Sequence, residues 1–325
     1  MLKYVLKRIG LMLITAVIII FLVFVFIKQM PEYYPFVPGD DPQVIVDKKI
    51  RDGVLYPDGT EVPVVIQFFN WSKKAITKGD FGWSDLKNQP SGEFLGERIP
   101  ITVKVNIIPY LISIPIGIGL GIWAALKKNK ITDHVISTGV MVMISIPTFV
   151  TASLLQYYLG YVWKIFPPKM AAGIDIAANP ALAMTSIMIP IIAMTLGTVA
   201  SLSRVTRAEL SEVLTSEFML LCRTKGLNKR QATYRHALRN SLVPLAPSLI
   251  GGFVSILSGS TVLEKIFEIN GIGGAYLEAF NGNDYNLIMV IMAFYTVIGL
   301  ATTLIVDLSY GFIDPRIRMG AGKNA

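Results

Sequence analysis

Six long runs of uncharged, mostly apolar residues divide the chain and limit what it can fold into. The runs cover residues 9–27, 105–126, 135–163, 176–203, 241–263 and 285–306. A helix rises about 1.5 Å per residue, so about 20 residues cross a hydrocarbon core of about 30 Å. Only 16% of the 325 residues are charged, against about 25% in soluble domains. The sequence therefore predicts an all-α polytopic membrane protein with six transmembrane helices.

The first run follows the basic residues Lys3, Lys7 and Arg8. A cleavable signal peptide is the rival interpretation, but its apolar segment would be shorter and would end in small residues. Here the run ends Phe-Ile-Lys-Gln-Met-Pro. We therefore expect residues 1–27 to be a short N-terminus and an uncleaved first helix.

Residues 28–100 have a different composition, with eleven acidic and nine basic residues and several Pro/Gly turn signals. Alternation over residues 61–66 indicates a short strand, and residues 66–76 are predicted to form a helix. The segment is too long and too patterned for a linker. It is predicted to be a small α/β subdomain between the first and second transmembrane helices.

Glycines and prolines inside the runs predict close packing and bends. Gly117 and Gly121 are four residues apart in one run, a spacing that lets a second helix approach closely. Pro115, Pro147 and Pro190 each fall within a run. A proline there frees a carbonyl and bends the helix, which suits a transport pathway or simple packing curvature.

The distribution of Lys and Arg predicts the orientation in the membrane. With six spans, the segments on the side of the N-terminus carry 17 Lys and Arg, and the short loops opposite carry three, Lys164, Lys169 and Lys265. Basic loops stay in the cytoplasm. We expect both termini in the cytoplasm, with residues 28–100 and 264–284 outside. The predicted transmembrane domain covers residues 101–306, with a cytoplasmic loop at 204–240, and a cytoplasmic tail follows at 307–325. Its helices are predicted at about 103–126, 135–163, 176–203, 241–263 and 285–306.

The runs lack the side chains of several known chemistries. No ionisable residue falls in the middle of a run; Lys104 and Asp307 are at the ends. This argues against a proton relay or ion coupling through charged ligands. No GxxxxGK[ST] loop or catalytic Ser/His, Asp/Asp or HExxH arrangement is present, and the single cysteine excludes a Cys-rich metal site. The chain is therefore predicted not to be an enzyme. It could be a passive channel, a scaffold, or the membrane part of a machine with a separate motor.

Residues 204–244 combine a strong positive charge with helical order. They hold eight Lys and Arg against three Glu. Apolar residues recur at helical spacing on one face; they are Leu210, Val213, Leu214, Phe218 and Leu221. Gly226 is predicted to stop this helix, and Asn228 with Gln231 is predicted to cap the next one. Such an amphipathic segment is either a docking site for a soluble partner or a basic loop on anionic lipid.

Short motifs follow one another in a fixed order along nearly the whole chain. They are PGDDP at 38–42, GDFGWS at 79–84, ERIPIT at 97–102, SIPTF at 145–149, RTKGL at 223–227, RHALRNSLVP at 235–244, EKIF at 264–267, GIG at 271–273 and DPRIR at 314–318. In this order they resemble the permease subunit of bacterial ABC importers for dipeptides and oligopeptides, specifically the first of the two permease subunits. In the wider superfamily the cytoplasmic motif begins Glu-Ala-Ala; residues 220–222 read LLC here.

This resemblance implies the type I ABC importer permease fold in a bacterial cytoplasmic (inner) membrane. It also implies three kinds of partner besides the lipid bilayer: a second homologous permease subunit, two cytoplasmic ATPases that bind ATP and Mg, and an extracellular or periplasmic peptide-binding protein. This chain would bind no cofactor, metal or nucleic acid itself. The binding protein would contact residues 264–284 together with 28–100.

The resemblance also implies which residues act. A coupling helix at about 215–227 would dock on an ATPase, with Phe218 and Leu221 in a groove and Arg223 and Lys225 fixing its register. The implied coupling residues are Glu217, Phe218, Leu221, Cys222, Arg223, Thr224, Lys225, Gly226 and Leu227. The candidate pathway residues are Phe149, Gln156, Tyr157, Ser255 and Ser258; helix packing is the alternative role for each of them. The cargo could also be a nickel chelate, an opine or a sugar.

Overall fold

The computed structural model describes residues 2–30 and 41–313, and side chains within 4–30 and 41–310. The predicted landmark at 38–42 lies mostly outside the described residues. The landmark at 314–318 and the tail beyond it lie wholly outside them, as does the side chain of Lys3.

Four helices are long and apolar enough to cross a membrane, or up to six if each of two bent helix pairs counts as one span. The four are α1 (Leu2–Lys28), α4 (Ser91–Leu126), α9 (Met188–Thr215) and α16 (Tyr285–Ile313). The prediction of a helical, multi-pass membrane protein is therefore confirmed, with four to six crossing helices.

The predicted continuous helix at 135–163 is wrong, because the chain bends by 94° within it. The two parts are α5 (Ile131–Ser145) and α6 (Thr148–Leu155), which continues as a π-helix over Gln156–Val162. Pro147 lacks an N–H and disfavours helical geometry at the residue before it. Ile146 accordingly adopts an extended conformation, with ψ of 121°.

The helices predicted at 176–203 and 241–263 are also interrupted. Short helices α7 (Gly173–Ala178) and α8 (Leu182–Thr185) precede α9. Pro190 lies in the first turn of α9, inside the candidate span that covers residues 182–215. Downstream come α10 (Glu217–Thr224), α11 (Lys229–Ala232), a π-helix (Thr233–Ala237), α12 (Leu238–Leu242) and α13 (Leu245–Ser255) with a 3-10 turn (Ile256–Ser258). Gly259 then takes a φ of +63°, a conformation that ends a helix, before α14 (Thr261–Ile266) begins.

In the described part of the segment between α1 and α4, the regular structure is chiefly helical. It contains α2 (Pro42–Arg51), α3 (Val64–Lys78) and two paired two-residue strands, β1 (Trp83–Ser84) and β2 (Gln89–Pro90). The predicted helix at 66–76 is confirmed. The predicted strand at 61–66 is wrong, since only an isolated bridge joins Leu55 to Glu61. Pro63 starts α3 immediately afterwards, as suits a residue whose φ is already near the helical value.

The segment at 264–284, predicted to be an external loop, is folded. It holds α14 and α15 (Ile272–Asn281). Glu264 is buried and accepts hydrogen bonds from the Gly274 N–H at 3.0 Å and the Thr102 hydroxyl at 3.1 Å. Burial raises the pKa of the Glu264 carboxyl, because the charged form loses water, while the backbone N–H donors lower it. This carboxyl joins α14, α15 and α4.

The two glycines of α4 lie where α4 crosses α9, as predicted. A Cβ atom at Gly117 would lie 2.7 Å from Leu202 Cβ, and one at Gly121 would lie 2.6 Å from Thr206 Cβ. Both distances are shorter than carbon–carbon contact allows. The absence of side chains at these two positions therefore lets the helix backbones meet.

A Gly121→Ala substitution tests this contact, with Gly119→Ala as the matched control. We expect Gly121→Ala to lower the free energy of unfolding by about 1–3 kcal/mol, because α4 and α9 must separate. Gly119 has no atom within 4 Å of its added Cβ, so its alanine variant should be neutral or slightly stabilising. Thermal stability of both variants in detergent checks this. Equal midpoints for the two variants would contradict a close crossing.

Candidate docking surface

The surface is built where α9 ends and the chain turns into α10. Ser216 joins the two helices in an extended conformation, with φ −73° and ψ 156°. The hydroxyls of Thr215 and Ser216 donate back to the carbonyls of Ser211 and Val213, at 3.1 and 2.7 Å. Such bonds offer the backbone an alternative to continuing the helix. The single apolar face predicted over 210–221 is therefore wrong, and α10 presents a face of its own.

Helix α10 has a buried side and an apolar exposed side. Met219 and Cys222 are buried in a cluster with Leu210 of α9 and with two alanines of the following helices. Leu220 and Leu221 lie on the outside, with 64% and 52% of their surface exposed, and Phe218 is exposed beside them. The outer surface is thus apolar although it belongs to the most basic part of the sequence.

The end of α10 and the start of α11 follow the sequence prediction. Gly226 takes a φ of +85°, a value that glycine adopts without strain. The Asn228 side chain accepts a bond from the Gln231 N–H at 2.8 Å, and the Gln231 side chain accepts one from the Asn228 N–H at 3.2 Å. This reciprocal pair confirms the predicted capping box.

The nine coupling residues implied by the resemblance divide by exposure. Exposed residues are Glu217, Phe218, Leu221, Arg223, Thr224, Lys225 and Gly226; Leu227 is half-buried. Cys222 is buried and packs inward, so it holds α10 in place rather than presenting a surface. Leu220, which sequence reasoning omitted, is the most exposed apolar residue of α10.

The edge of the surface is fixed by His236. The Phe218 and His236 rings meet edge to face, with centroids 6.0 Å apart. Phe218 therefore makes a contact within the chain, and it is less exposed, at 40%, than Leu220 and Leu221. We define Phe218, Leu220 and Leu221 as the α10 apolar surface.

An ion pair links α9 to α5, at a position that precedes the α10 apolar surface in the chain. Arg207 donates to both oxygens of Asp133, from Nε at 2.5 Å and from Nη2 at 2.8 Å. Asp133 is only 1% exposed and also accepts from the Asn129 N–H at 2.9 Å and the Ser137 hydroxyl at 3.1 Å. The pair ties the first turn of α5 to α9, and the Asn129 N–H joins the turn between α4 and α5 to it. Sequence reasoning counted Arg207 only as a charge and missed this contact.

The five candidate pathway residues lie on two separate elements. Phe149 and Tyr157 are exposed on α6 and its π-helical continuation, and Ser255 is exposed at the end of α13. Ser258 is half-buried in the following turn. Gln156 instead donates its amide to two backbone carbonyls, those of Pro168 at 2.8 Å and Ile266 at 3.0 Å. This amide fixes a loop and α14 against the π-helix.

Comparison with known proteins identifies the family. The profile of the binding-protein-dependent transport system inner membrane component matches residues 117–319. The chain belongs to this family. Permeases of this family are membrane subunits of ABC transport systems; ATP hydrolysis belongs to partner ATPases, and a binding protein supplies the solute.

Several relatives match the permease over nearly its whole length. The dipeptide transport system permease protein DppB of Bacillus subtilis (strain 168) is 33% identical over 98% of this chain and 99% of its own. DppB of Lactococcus lactis subsp. cremoris is 32% identical over 98% of this chain and 100% of its own. The oligopeptide transport system permease protein OppB of Salmonella typhimurium is 31% identical over 79% of this chain and 81% of its own.

A solved structure supports the fold. The crystal structure of an amino acid ABC transporter with histidines superposes with a TM-score of 0.50 at 16% identity, covering 66% of this chain and 92% of that one. At this identity the likeness concerns the arrangement of helices alone.

Proposed function

We propose that the permease forms half of the translocation pathway of an ATP-driven importer for dipeptides or oligopeptides. The observation that carries this proposal is the near full-length match, over 98% of the chain, to permeases named for dipeptide transport. A match of this extent includes the outer segments as well as the membrane helices.

The complete transporter would contain a second, homologous permease, two ATPases and a peptide-binding protein outside the cell. The distribution of Lys and Arg supports six spans with both termini in the cytoplasm. Residues 28–100 then form a small outer subdomain. Two contacts hold it against the end of the membrane domain: the Ser84 hydroxyl donates to Asp284 at 2.5 Å, and Lys87 pairs with Glu278 at 2.5 Å.

The α10 apolar surface would dock in a groove of one ATPase. Exposed leucines in a cytoplasmic position are costly in water and gain by burial in a partner. Arg223 and Lys225, exposed at the end of α10, would fix the register. ATP and Mg bind to the ATPases, and the permease itself holds no cofactor. Closure of the motor would shift α10 and α9 as one body and switch the pathway between inward-facing and outward-facing states.

The pathway would lie between the two permeases. Phe149, Tyr157 and Ser255 would contact the peptide, since their exposure on a single chain leaves them available to a shared lumen, and the half-buried Ser258 would lie beside them. The hydroxyl groups of Tyr157, Ser255 and Ser258 offer hydrogen bonds to a peptide backbone, and Phe149 offers apolar contact. Gln156 would act on the pathway indirectly, through the loop that its amide fixes.

Uptake by reconstituted vesicles tests the proposal. The complete complex should take up labelled dipeptide or oligopeptide only with ATP and the binding protein, and vesicles containing this chain alone should neither leak nor transport. Uptake of a nickel chelate but not of peptide would show that the assigned cargo is wrong, while the assignment as an ATP-driven importer would stand. Solute leakage through the chain alone would instead indicate a passive channel.

A further inference from the structure

The helix that begins after Pro147 ends in seven residues of π geometry. They are residues 156–162, and the Trp163 N–H after them donates to the Tyr158 carbonyl, five positions earlier, at 2.8 Å. A π-helix is rare and usually only one turn long, and many occur at functional sites. Contacts with the rest of the chain therefore have to favour this geometry over an α-helix.

Gln156 and Gly160 hold one loop against the π-helix. The Gln156 amide donates to the carbonyls of Pro168 and Ile266, at 2.8 and 3.0 Å. A Cβ atom at Gly160 would lie 2.9 Å from Pro168 Cβ, which is closer than two carbon atoms approach without strain. The loop is thus fixed to the first and the fifth residue of the π-helix.

The end of the π-helix is also committed to this geometry. In an α-helix the Leu159 carbonyl would accept a hydrogen bond from the Trp163 N–H, four positions later. Here the Leu159 carbonyl accepts instead from the Ile165 N–H, at 2.8 Å, because the chain turns back at once. A change to α geometry would have to displace this returning chain from Leu159.

The π geometry brings together Tyr157, Tyr158 and Trp163, which we name the aromatic face. The Tyr158 ring lies 5.2 Å from that of Tyr157 and 5.7 Å from that of Trp163, between centroids, and all three residues are exposed. On an α-helix, residues five positions apart point about 140° away from each other. Trp163 would then lie on the side of Gln156, seven positions before it. The π geometry therefore decides whether Trp163 belongs to the aromatic face.

We propose that Gln156 is a positioning residue of the transport pathway, because its amide holds residues 156–162 in π geometry and so keeps the aromatic face turned outward. The proposal rests on the proposed function in one respect, which is that Tyr157 borders the pathway. Gln156 itself does not contact the cargo. It acts through the direction of the rings beside Tyr157.

Thiol labelling of the full-length permease, with any subunits that purify with it, measures the helix geometry without transport. The labelled positions are Trp163→Cys and Tyr158→Cys, and the reagent is a water-soluble maleimide; the native Cys222 is buried. Gln156→Leu keeps a similar side-chain volume and removes both hydrogen bonds. We expect it to slow the labelling of Trp163→Cys by about tenfold, as the population with π geometry falls.

Tyr158→Cys is the matched control for this labelling. Tyr158 follows Gln156 by two positions, so it lies on the far side of the helix in either geometry. Its labelling rate should therefore be the same with Gln156 and with Gln156→Leu. Equal labelling of Trp163→Cys in these two backgrounds would overturn the role of the amide.

Gly160→Ala tests the same geometry and leaves the amide in place. The added Cβ would push Pro168 away, so Trp163→Cys should again react more slowly. Gly139→Ala on α5, whose Cβ meets no described atom within 4 Å, should leave the rate unchanged. This pair decides the question if Gln156→Leu does not fold. Unchanged labelling in Gly160→Ala would show that the loop does not hold the π-helix.

Peptide uptake per ATP hydrolysed separates positioning from stability. In vesicles with the complete complex, Gln156→Leu should lower peptide uptake by about fivefold and change the ATPase rate by less than about twofold. A proportional loss of both rates, or no loss of uptake, would overturn the positioning role. Absence of uptake by the unchanged complex would contradict the proposed function alone, and the labelling result would stand.

Discussion

A Leu221→Asp permease is expected to insert and fold normally and to lose ATP-driven uptake. Leu221 is half exposed and makes no contribution to the cluster that holds α10, which depends on Met219 and Cys222. An aspartate at this exposed position should change the folding free energy of the single chain very little. In an apolar groove of an ATPase the same carboxylate would be buried without a partner. Removing an anchor residue of an interface typically costs about 2–4 kcal/mol, which corresponds to about 30- to 1,000-fold weaker docking.

The measurement is co-purification of the ATPases together with peptide uptake in vesicles. Leu221 is a sharper choice than Phe218, because Phe218 also contacts His236 within the chain. Ile174→Asp is the control, since Ile174 is also an exposed apolar residue, with 85% of its surface exposed against 52% for Leu221, on α7, far from α10 in the sequence. It should retain ATPases and uptake. Normal uptake by Leu221→Asp would exclude the α10 apolar surface as the docking site.

Features that depend on neighbouring residues could be predicted from the sequence. The long helices follow from uncharged runs, the Gly226 stop from the glycine itself, and the Asn228 cap from a pair three residues apart. The approach of α4 to α9 follows from two glycines on one face, although the sequence does not name the partner helix. The division of α10 into a buried and an exposed side could be predicted only in part, because Ser216 breaks the helix and resets its face.

Features that depend on distant residues could not be predicted. Arg207 and Asp133 are 74 positions apart, and Thr102 and Glu264 are 162 apart. Each of these residues is ordinary in its local sequence, and only the packing of α9 or α14 against another helix shows what it binds. The bend at Pro147 belongs to the same class. A proline indicates that a helix can break, but whether it curves or turns by 94° is decided by what the two halves pack against.

Loss of the ion pair between Asp133 of α5 and Arg207 of α9 is expected to lower the stability of the permease strongly. An Arg207→Met permease should be less stable by about 3 kcal/mol, because the almost fully buried Asp133 carboxylate loses its cation. Its hydrogen bonds from Asn129 and Ser137 keep the loss at the lower end of the range for such pairs. Adding Asp133→Asn to the same protein removes the buried charge and should recover most of this stability. Thermal unfolding in detergent measures both.

An exposed ion pair supplies the control for this experiment. Arg8 and Asp307 meet at 2.8 Å between α1 and α16, but 44% and 29% of their side chains are exposed. Arg8→Met should therefore cost less than about 1 kcal/mol. Equal losses for Arg8→Met and Arg207→Met would show that burial of Asp133 does not matter. The doubly substituted permease also separates two roles of the buried ion pair. The doubly substituted permease keeps the fold but lacks the fixed link from the start of α5 to α9. If its uptake stays low after stability is restored, the pair transmits motion between these helices. If its uptake recovers fully, the pair contributes to stability alone.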